Sequence, residues 1–565
     1  MLHFRQTHGI RLGLSELVGG SPRTMADLIA VLSTLPVTPT RIILSKIQIL
    51  MANEDSSDFE NHMRTHYVGP ACIEALKKYS AVKGAQVRLF TKMAILLVQE
   101  VFRQHHDIKK SGPAEVEYVI PKISEAILIA NDICNTVTSK SDKNMAEPDN
   151  YATFALPEML FNYSDQFRYA IGRSYLIYEG LKERCRTEYP DDFFDVDAFF
   201  KEKLKIGFDD YFFAIFALYS QWSFSFKDLA NQSGLIDPTT WIESPLLRTR
   251  INNILALFED SWEQPQTISD VENLEIIREV IYENFHLRKS PLLKIPEGIL
   301  CGSLQHIMSK CWNGPYYEII DRGNECQKDL FFRFLGRTIE MYVQGLLKDA
   351  FRHKFKQITS TSGNPIADAA VYIKSSWCLL FEVKAKRPTR EMTSSGDAPA
   401  EMQAVAKMAF EGLQQLNNRI ADFRATGFRG RITPILVTGG LFPINSLLWK
   451  HYLHKVESLP MMSDLEVDLP QFMNLESIEI LTALKQICGI TDLLREKLTD
   501  SWKAESLQTF LFSYYFPKYQ IIEPLNKTCE SLYKDRMAAL IRALFPNKAS
   551  DFPADNRWRP VFSRT

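Results

Sequence analysis

The stretch that most constrains this chain is Ala367–Ala385. Two short runs of β-forming residues, Ala367–Ile373 and Trp377–Ala385, are separated only by Lys374, Ser375 and Ser376, which is hairpin length. Facing residues in an antiparallel pair have numbers with a constant sum. With Ser375 at the midpoint, Asp368 and Glu382 stand opposite each other, their Cβ atoms expected about 5 Å apart. Lys384, two residues past Glu382, shares its face. Leu379-Leu380-Phe381-Glu382-Val383-Lys384 thus ends an apolar strand on two charges. Adjacent carboxylates repel each other and are costly to desolvate. A hard divalent cation resolves both problems, and carboxylate oxygens suit Mg2+, with Mn2+ as a substitute. Mg2+ lowers the pKa of a bound water and polarises a phosphoryl oxygen. A nearby ammonium, Lys384, stabilises hydroxide and developing negative charge. These parts suffice for hydrolysis of a phosphodiester.

The surroundings of the hairpin give it context. Cys326–Phe355 carries an amphipathic helix pattern, with Phe331, Phe334, Leu335, Ile339, Tyr342, Val343, Leu346 and Leu347 as its apolar stripe. A breaker-rich loop, Thr359–Pro365, follows. After the hairpin come a loop (Arg387–Pro399), a helix (Ala400–Ala425) and a buried strand (Ile432–Thr438) closed by Gly439 and Gly440. The order helix, hairpin, helix, strand predicts a compact α/β unit. Residues before about 310 read as mostly helical, with examples at Ile43–Met51, Val87–Phe102 and Glu158–Leu181, and a polar loop at Asn135–Tyr151. Phe199, Phe200, Phe208, Tyr211, Phe212, Phe213 and Phe216 lie at helical spacings and read as core rather than as a stacking surface for bases. The last 120 or so residues read as mainly helical, with an aromatic patch at Phe510–Tyr519. These boundaries predict a helical region 1–315, an α/β domain 316–445 and a helical region 446–565 packed on it.

Glu-x-Lys alone carries little, because a chain this long and charged contains about two by chance. The combination is more specific, and it resembles the PD-(D/E)xK nuclease superfamily over about residues 331–440. Asp368 matches the family's first acid, with Pro365 three residues earlier rather than adjacent. Glu382 matches the second acid and Lys384 the lysine. Glu340, within Gly336-Arg337-Thr338-Ile339-Glu340-Met341-Tyr342, resembles the glutamate that the family often carries on the preceding helix. Gln415, with Gln414 as the alternative, resembles a glutamine on the following helix that orients the reaction centre. The resemblance implies a restriction-endonuclease-like α/β core inside a large, mostly helical chain. It implies a Mg2+-dependent endonuclease, with DNA favoured, leaving 5′-phosphate and 3′-hydroxyl ends. Asp368, Glu382 and Glu340 would hold metal, Lys384 would activate water, and Gln415 would orient Lys384 or the water. Large helical additions around such a core are similar to effectors of prokaryotic restriction and antiphage defence.

Charge agrees in part. The whole chain of 565 residues has a formal net charge of −2, so no chain-wide footprint for nucleic acid exists. Phe331–Arg431, however, holds sixteen Lys and Arg against nine Asp and Glu, a local +7. Arg352, Lys354, Lys356, Lys386, Arg387 and Arg390, with Arg424, Arg429 and Arg431, flank the proposed centre as candidate phosphate contacts; a solvated charged face is the alternative.

Other chemistries are excluded or weak. At 45% hydrophobic and 24% charged residues the chain is neither disordered nor collagen-like. Its longest apolar run, Tyr211–Tyr219, falls short of the roughly 20 residues a membrane helix needs. The N-terminus has no secretory pattern, and nine scattered cysteines suit a reducing cytoplasm. Cys301, His306 and Cys311 are too widely spaced for structural zinc. His62 and His66 lack the glutamate of a metalloprotease helix, and no P-loop or nucleophile elbow occurs. A regulatory or motor partner, and a homo-oligomer, are therefore expected assemblies. Two other readings stay open: an inactive or partner-activated nucleic-acid binder on a nuclease-like fold, and a helical interaction protein with a charged hairpin.

Overall fold

The computed structural model describes residues 10–53, 56–66, 87–105, 116–139, 167–222, 235–236, 245–261, 289–295, 297–357, 367–385, 398–440 and 458–544, with single positions 74, 77 and 456 between them. The described residues fall into two compact units. One lies within Met1–Lys143 and Ile206–Lys310, the other within Asn144–Lys205 and Cys311–Ala554.

The first unit is built on helices, among them Val37–Asn53, Lys92–His105, Val116–Ser139 and Phe208–Trp222. It also contains strands that the sequence did not announce. Ile10–Arg11 pairs in parallel with Val87–Arg88, and Gly298–Cys301 lies between Leu235–Ile236 and Leu292–Ile295. The aromatic run is core, as its spacing predicts: Phe208, Tyr211, Phe212, Phe213 and Phe216 are buried, and so are Phe199 and Phe200 in the second unit. No single helix among the described residues is long and apolar enough to cross a membrane.

The second unit holds a five-stranded mixed sheet. Among its elements, in chain order, are α1 (Phe167–Tyr175), α2 (Glu325–Phe351), β1 (Phe355–Lys356), β2 (Ala369–Lys374), β3 (Trp377–Lys384), α3 (Ala398–Ala425), β4 (Arg431–Thr438), β5 (Gln471–Asn474), α4 (Leu475–Ile487) and α5 (Ile522–Leu544). The sheet order is β5-β4-β3-β2-β1. β2 runs antiparallel to both β1 and β3, whereas β3, β4 and β5 are parallel. Parallel strands need a crossover, and α3 supplies it between β3 and β4. Both faces of β3 and β4 are covered, so they read as nearly unbroken apolar runs rather than as alternating ones.

The hairpin register follows the expected sum. Ala369 pairs with Phe381, Ala370 with Leu380, and Val371 with Leu379. The register slips only at the turn, between Tyr372 and Lys374. On one face of the sheet, Ala370, Cys378, Leu380, Ile432 and Leu436 pack with Leu413, Leu416 and Ile420 of α3. Gly412 lets α3 come close there, since a Cβ at that position would lie 2.7 Å from Leu436 Cδ2.

The expected continuous region 1–315 is divided by packing. Residues 167–205 belong with the sheet for two physical reasons. Tyr178 stacks on Phe331, with Phe194 edge-on to the same ring and Phe193 edge-on to Phe334. The buried Glu479 of α4 accepts from Arg173 Nε of α1 at 2.9 Å and from the Tyr342 hydroxyl of α2, and pairs with Arg536 Nη1 of α5 at 3.1 Å. The expected boundary near 445 also differs from the packing, because β5 belongs to the sheet. The expected loop at Thr359–Pro365, and that at Arg387–Pro399 as far as residue 397, lie outside the described residues; Ala398 and Pro399 already belong to α3.

Candidate active site

The site is assembled at one end of the sheet. Glu382 and Lys384 close β3 where Leu436 and Thr438 close β4, and Thr438 pairs in turn with Asn474 of β5. This is the carboxyl end of the parallel strands, where open α/β sheets ordinarily bind ligands. Asp368 lies one residue before β2, so the register carries it to a position facing Glu382. Its Oδ2 accepts the Val383 backbone N–H at 2.6 Å.

α2 brings Glu340 to the same place. Ile339, its neighbour, is buried against the strand ends, where a Cβ on Gly439 would lie 3.2 Å from Ile339 Cδ1 and 3.0 Å from the Ala385 carbonyl. A side chain there would be tight enough to make its neighbours give way. The Gln344 amide donates to Glu340 Oε1 at 3.0 Å and to the Asp368 backbone carbonyl at 2.8 Å. It therefore ties helix to hairpin. Arg337 pairs with Glu340 at 3.3 Å and, with Arg333, with Asp192. The sequence did not reveal Gln344, Arg337 or Asp192 as supports; Gln344 and Arg337 lie four and three residues from Glu340, a spacing that places them beside it.

Electrostatics record the crowding. Burial, then the charges of Glu382 and Glu340, push the Asp368 carboxyl up to about 7, with the Val383 N–H and Lys384 pulling the other way. Burial also raises Glu340, opposed by Arg337. Glu382 is 2% exposed. Lys384 Nζ donates to Glu382 Oε1 at 2.6 Å, while Oε2 is buried and makes no hydrogen bond. Arg419 of α3 brings its Nε to 3.6 Å from that oxygen.

Among the described residues no three Asp, Glu, His or Cys side chains are gathered closely enough to hold an ion as they stand. Mg2+ is ordinarily bound by one or two carboxylates with water and phosphate completing the shell, so Asp368 and Glu382 fit it. Oε2 is the structural mark of that fit, since a buried carboxylate oxygen that accepts no hydrogen bond is expensive.

The remaining candidates divide. Gln415 and Gln414 are exposed on α3, and neither forms a hydrogen bond to Lys384 among the described residues. Arg419, one turn beyond Gln415, is the α3 side chain that reaches the centre, at Glu382; the i,i+4 spacing from Gln415 was the available signal. Lys354 donates to the Ile373 carbonyl at 3.4 Å, beside the hairpin turn. That is five residues, about 16 Å, along the strand from Asp368. Arg352 is exposed at the end of α2, and the Lys356 ammonium lies over the Tyr372 ring. Arg424 donates to the Gly430 carbonyl and pairs with Asp464, Arg429 donates to the Arg424 carbonyl, and Arg431 grips Asp468. Arg431 pairs with Trp377 at the start of both strands, the end opposite the carboxylates. These arginines hold turns and strand starts together. Lys386, Arg387 and Arg390 lie outside the described residues.

No family model, no curated protein and no solved structure matches the chain.

Proposed function

We propose that the chain is a Mg2+-dependent nuclease, with DNA as the favoured polymer and restriction or antiphage defence as its setting. The observation that carries this reading is the Glu382 carboxylate, buried at the end of an apolar strand with one oxygen that accepts no hydrogen bond, facing Asp368 and neighboured by Glu340. The order α2, β2–β3 hairpin, α3, β4, with β4 parallel to β3, resembles the restriction-endonuclease-like core that the motif implies and supports the same reading.

Asp368 and Glu382 would hold the ion, with Glu340 within electrostatic reach. The ion supplies a polarised phosphoryl oxygen and a more acidic water. The chain's own residues do the rest. Val383 fixes one Asp368 oxygen. Gln344 and Arg337 fix Glu340. Lys384, half-buried and anchored on Glu382, presents an ammonium where negative charge develops on the attacking water and the phosphate. The chain has no P-loop, so any strand-moving work falls to a motor or regulatory partner.

Purified protein offered plasmid, linear duplex and single-stranded DNA with Mg2+, Mn2+ or EDTA tests this. Metal-dependent cutting is expected, lost by about 100-fold or more in Glu382→Gln and Lys384→Met. Cutting that survives both substitutions would place the activity elsewhere. Metal-dependent binding without cutting by any form would favour a partner-activated or inactive binder.

A further inference from the structure

The carboxylate centre has a second cation beside it, Arg419, and its contact is unusual in three ways. It is long, at 3.6 Å between Nε and Glu382 Oε2, beyond hydrogen-bond range. It joins a buried oxygen to a guanidinium whose side chain is 37% exposed. It is also the one hydrogen bond or ion pair that Arg419 forms among the described residues. A guanidinium has five donors in a planar fork suited to bidentate carboxylate or phosphate. Among the described residues the fork makes no hydrogen bond.

Packing sets this position. Ile420, next in sequence, is buried in the α3–sheet core, and Gly412, two turns earlier, seats α3 against Leu436. Leu436 is the register partner of Glu382. Arg419 is therefore held over the site by the helix that carries it. A divalent ion taking the free Glu382 oxygen would meet the guanidinium at close range, and like charges at such a distance oppose each other. A phosphodiester offers the fork two oxygens in the geometry it prefers.

We propose that Arg419 is an electrostatic latch: without substrate it guards the Glu382 oxygen that the metal needs, and a nucleic-acid phosphate draws it away, so that metal and substrate load together. This rests on the metal-dependent reading above. Reciprocity follows, since a phosphate that releases the latch tightens metal binding by the factor by which metal tightens phosphate binding.

The test titrates Mn2+ into the full chain and follows free Mn2+ by its paramagnetic resonance signal. It is run with and without a cleavage-resistant phosphorothioate DNA, for wild type, Arg419→Gln, Arg419→Lys and Glu382→Gln. Without DNA, Arg419→Gln is expected to bind Mn2+ about tenfold more tightly than wild type. DNA is expected to tighten Mn2+ binding in wild type and to do so much less in Arg419→Gln. Arg419→Lys keeps the charge and so stays near wild type without DNA, which separates charge from any folding defect seen by circular dichroism. If Arg419→Gln leaves Mn2+ affinity unchanged or weakens it while Glu382→Gln abolishes binding, the latch is wrong and the metal site stands. If no form binds Mn2+ with or without DNA, the metal-dependent reading fails and the latch with it.

Discussion

Asp368 reaches across the hairpin to Val383, its Oδ2 accepting the backbone N–H at 2.6 Å just beyond the last regular pair, Ala369 and Phe381. One oxygen thus performs a structural task while the carboxyl as a whole is crowded by Glu382 and Glu340. The two roles are separable by substitution.

Asp368→Asn keeps an acceptor for Val383 and removes the charge. In EDTA at pH 8 the variant is expected to match or exceed wild type in urea resistance, by up to about 2 kcal/mol, because the site's strain is relieved. Mg2+ at ten times its dissociation constant should stabilise wild type by about 1.4 kcal/mol and leave the variant unmoved. A variant less stable than wild type in EDTA would show that the charge is already satisfied by protein groups.

Glu479 gathers Arg173, Arg536 and Tyr342 in the interior. Glu479→Gln deprives two buried guanidiniums of that charge and should cost about 3–5 kcal/mol in urea unfolding. Tyr342→Phe, which removes one hydrogen bond, should cost nearer 1 kcal/mol. Equal small effects would mean that the cluster contributes little to the unit.

Lys497 supplies a pH signature. It is 1% exposed and donates to Gln471 Oε1 of β5 at 2.7 Å and to the Trp502 carbonyl at 2.9 Å. Burial depresses it to about 7, against a pull upward from Glu505. Between pH 7 and about 10.5 the unfolded chain then binds more protons than the folded one. Stability from this group therefore rises with pH across that window and is lost as pH falls toward 7, by roughly 1 kcal/mol per unit. Lys497→Met should lack that slope when urea midpoints are compared at pH 7 and pH 9. Parallel curves for the two proteins would refute the depressed amine.

Gly412 is where α3 seats on β4. Gly412→Ala gains about 1 kcal/mol of helix propensity but drives a Cβ to within 2.7 Å of Leu436 Cδ2. Overpacking of about 1–3 kcal/mol should win, giving a net loss in thermal denaturation. Adding Leu436→Val should recover part of it. Additive costs in the double variant would show that the two positions do not meet.

The hairpin and its register were legible because a three-residue connection leaves the pairing little freedom, and because two charges on an apolar run mark where the strand ends. α2 and α3 were legible from their stripes. β1 was not: Phe355 continues the helical stripe, and only Arg352, at a φ of +48°, turns the chain out of the helix. β5 was hidden because four buried residues, Gln471–Asn474, are too short a run to show a period. Arg419, rather than Gln415, is the α3 side chain that reaches Glu382, because spacing identifies a helix face but not how far that face is rotated toward the sheet. The grouping of residues 167–205 with the sheet rests on contacts between distant positions, for which a local pattern holds no signal.

Arg173 and Glu479 are 306 positions apart. A ribosome adding about 5–20 residues per second delivers the second roughly fifteen seconds to a minute after the first. During that interval the nascent polypeptide already carries Asp368 and Glu382 for part of the time, but β5 and the carboxylate that anchors α1 have not yet been made. The order of synthesis therefore finishes the frame after the centre it supports, and a chain truncated before residue 471 would carry the acidic pair without the strand that completes the sheet.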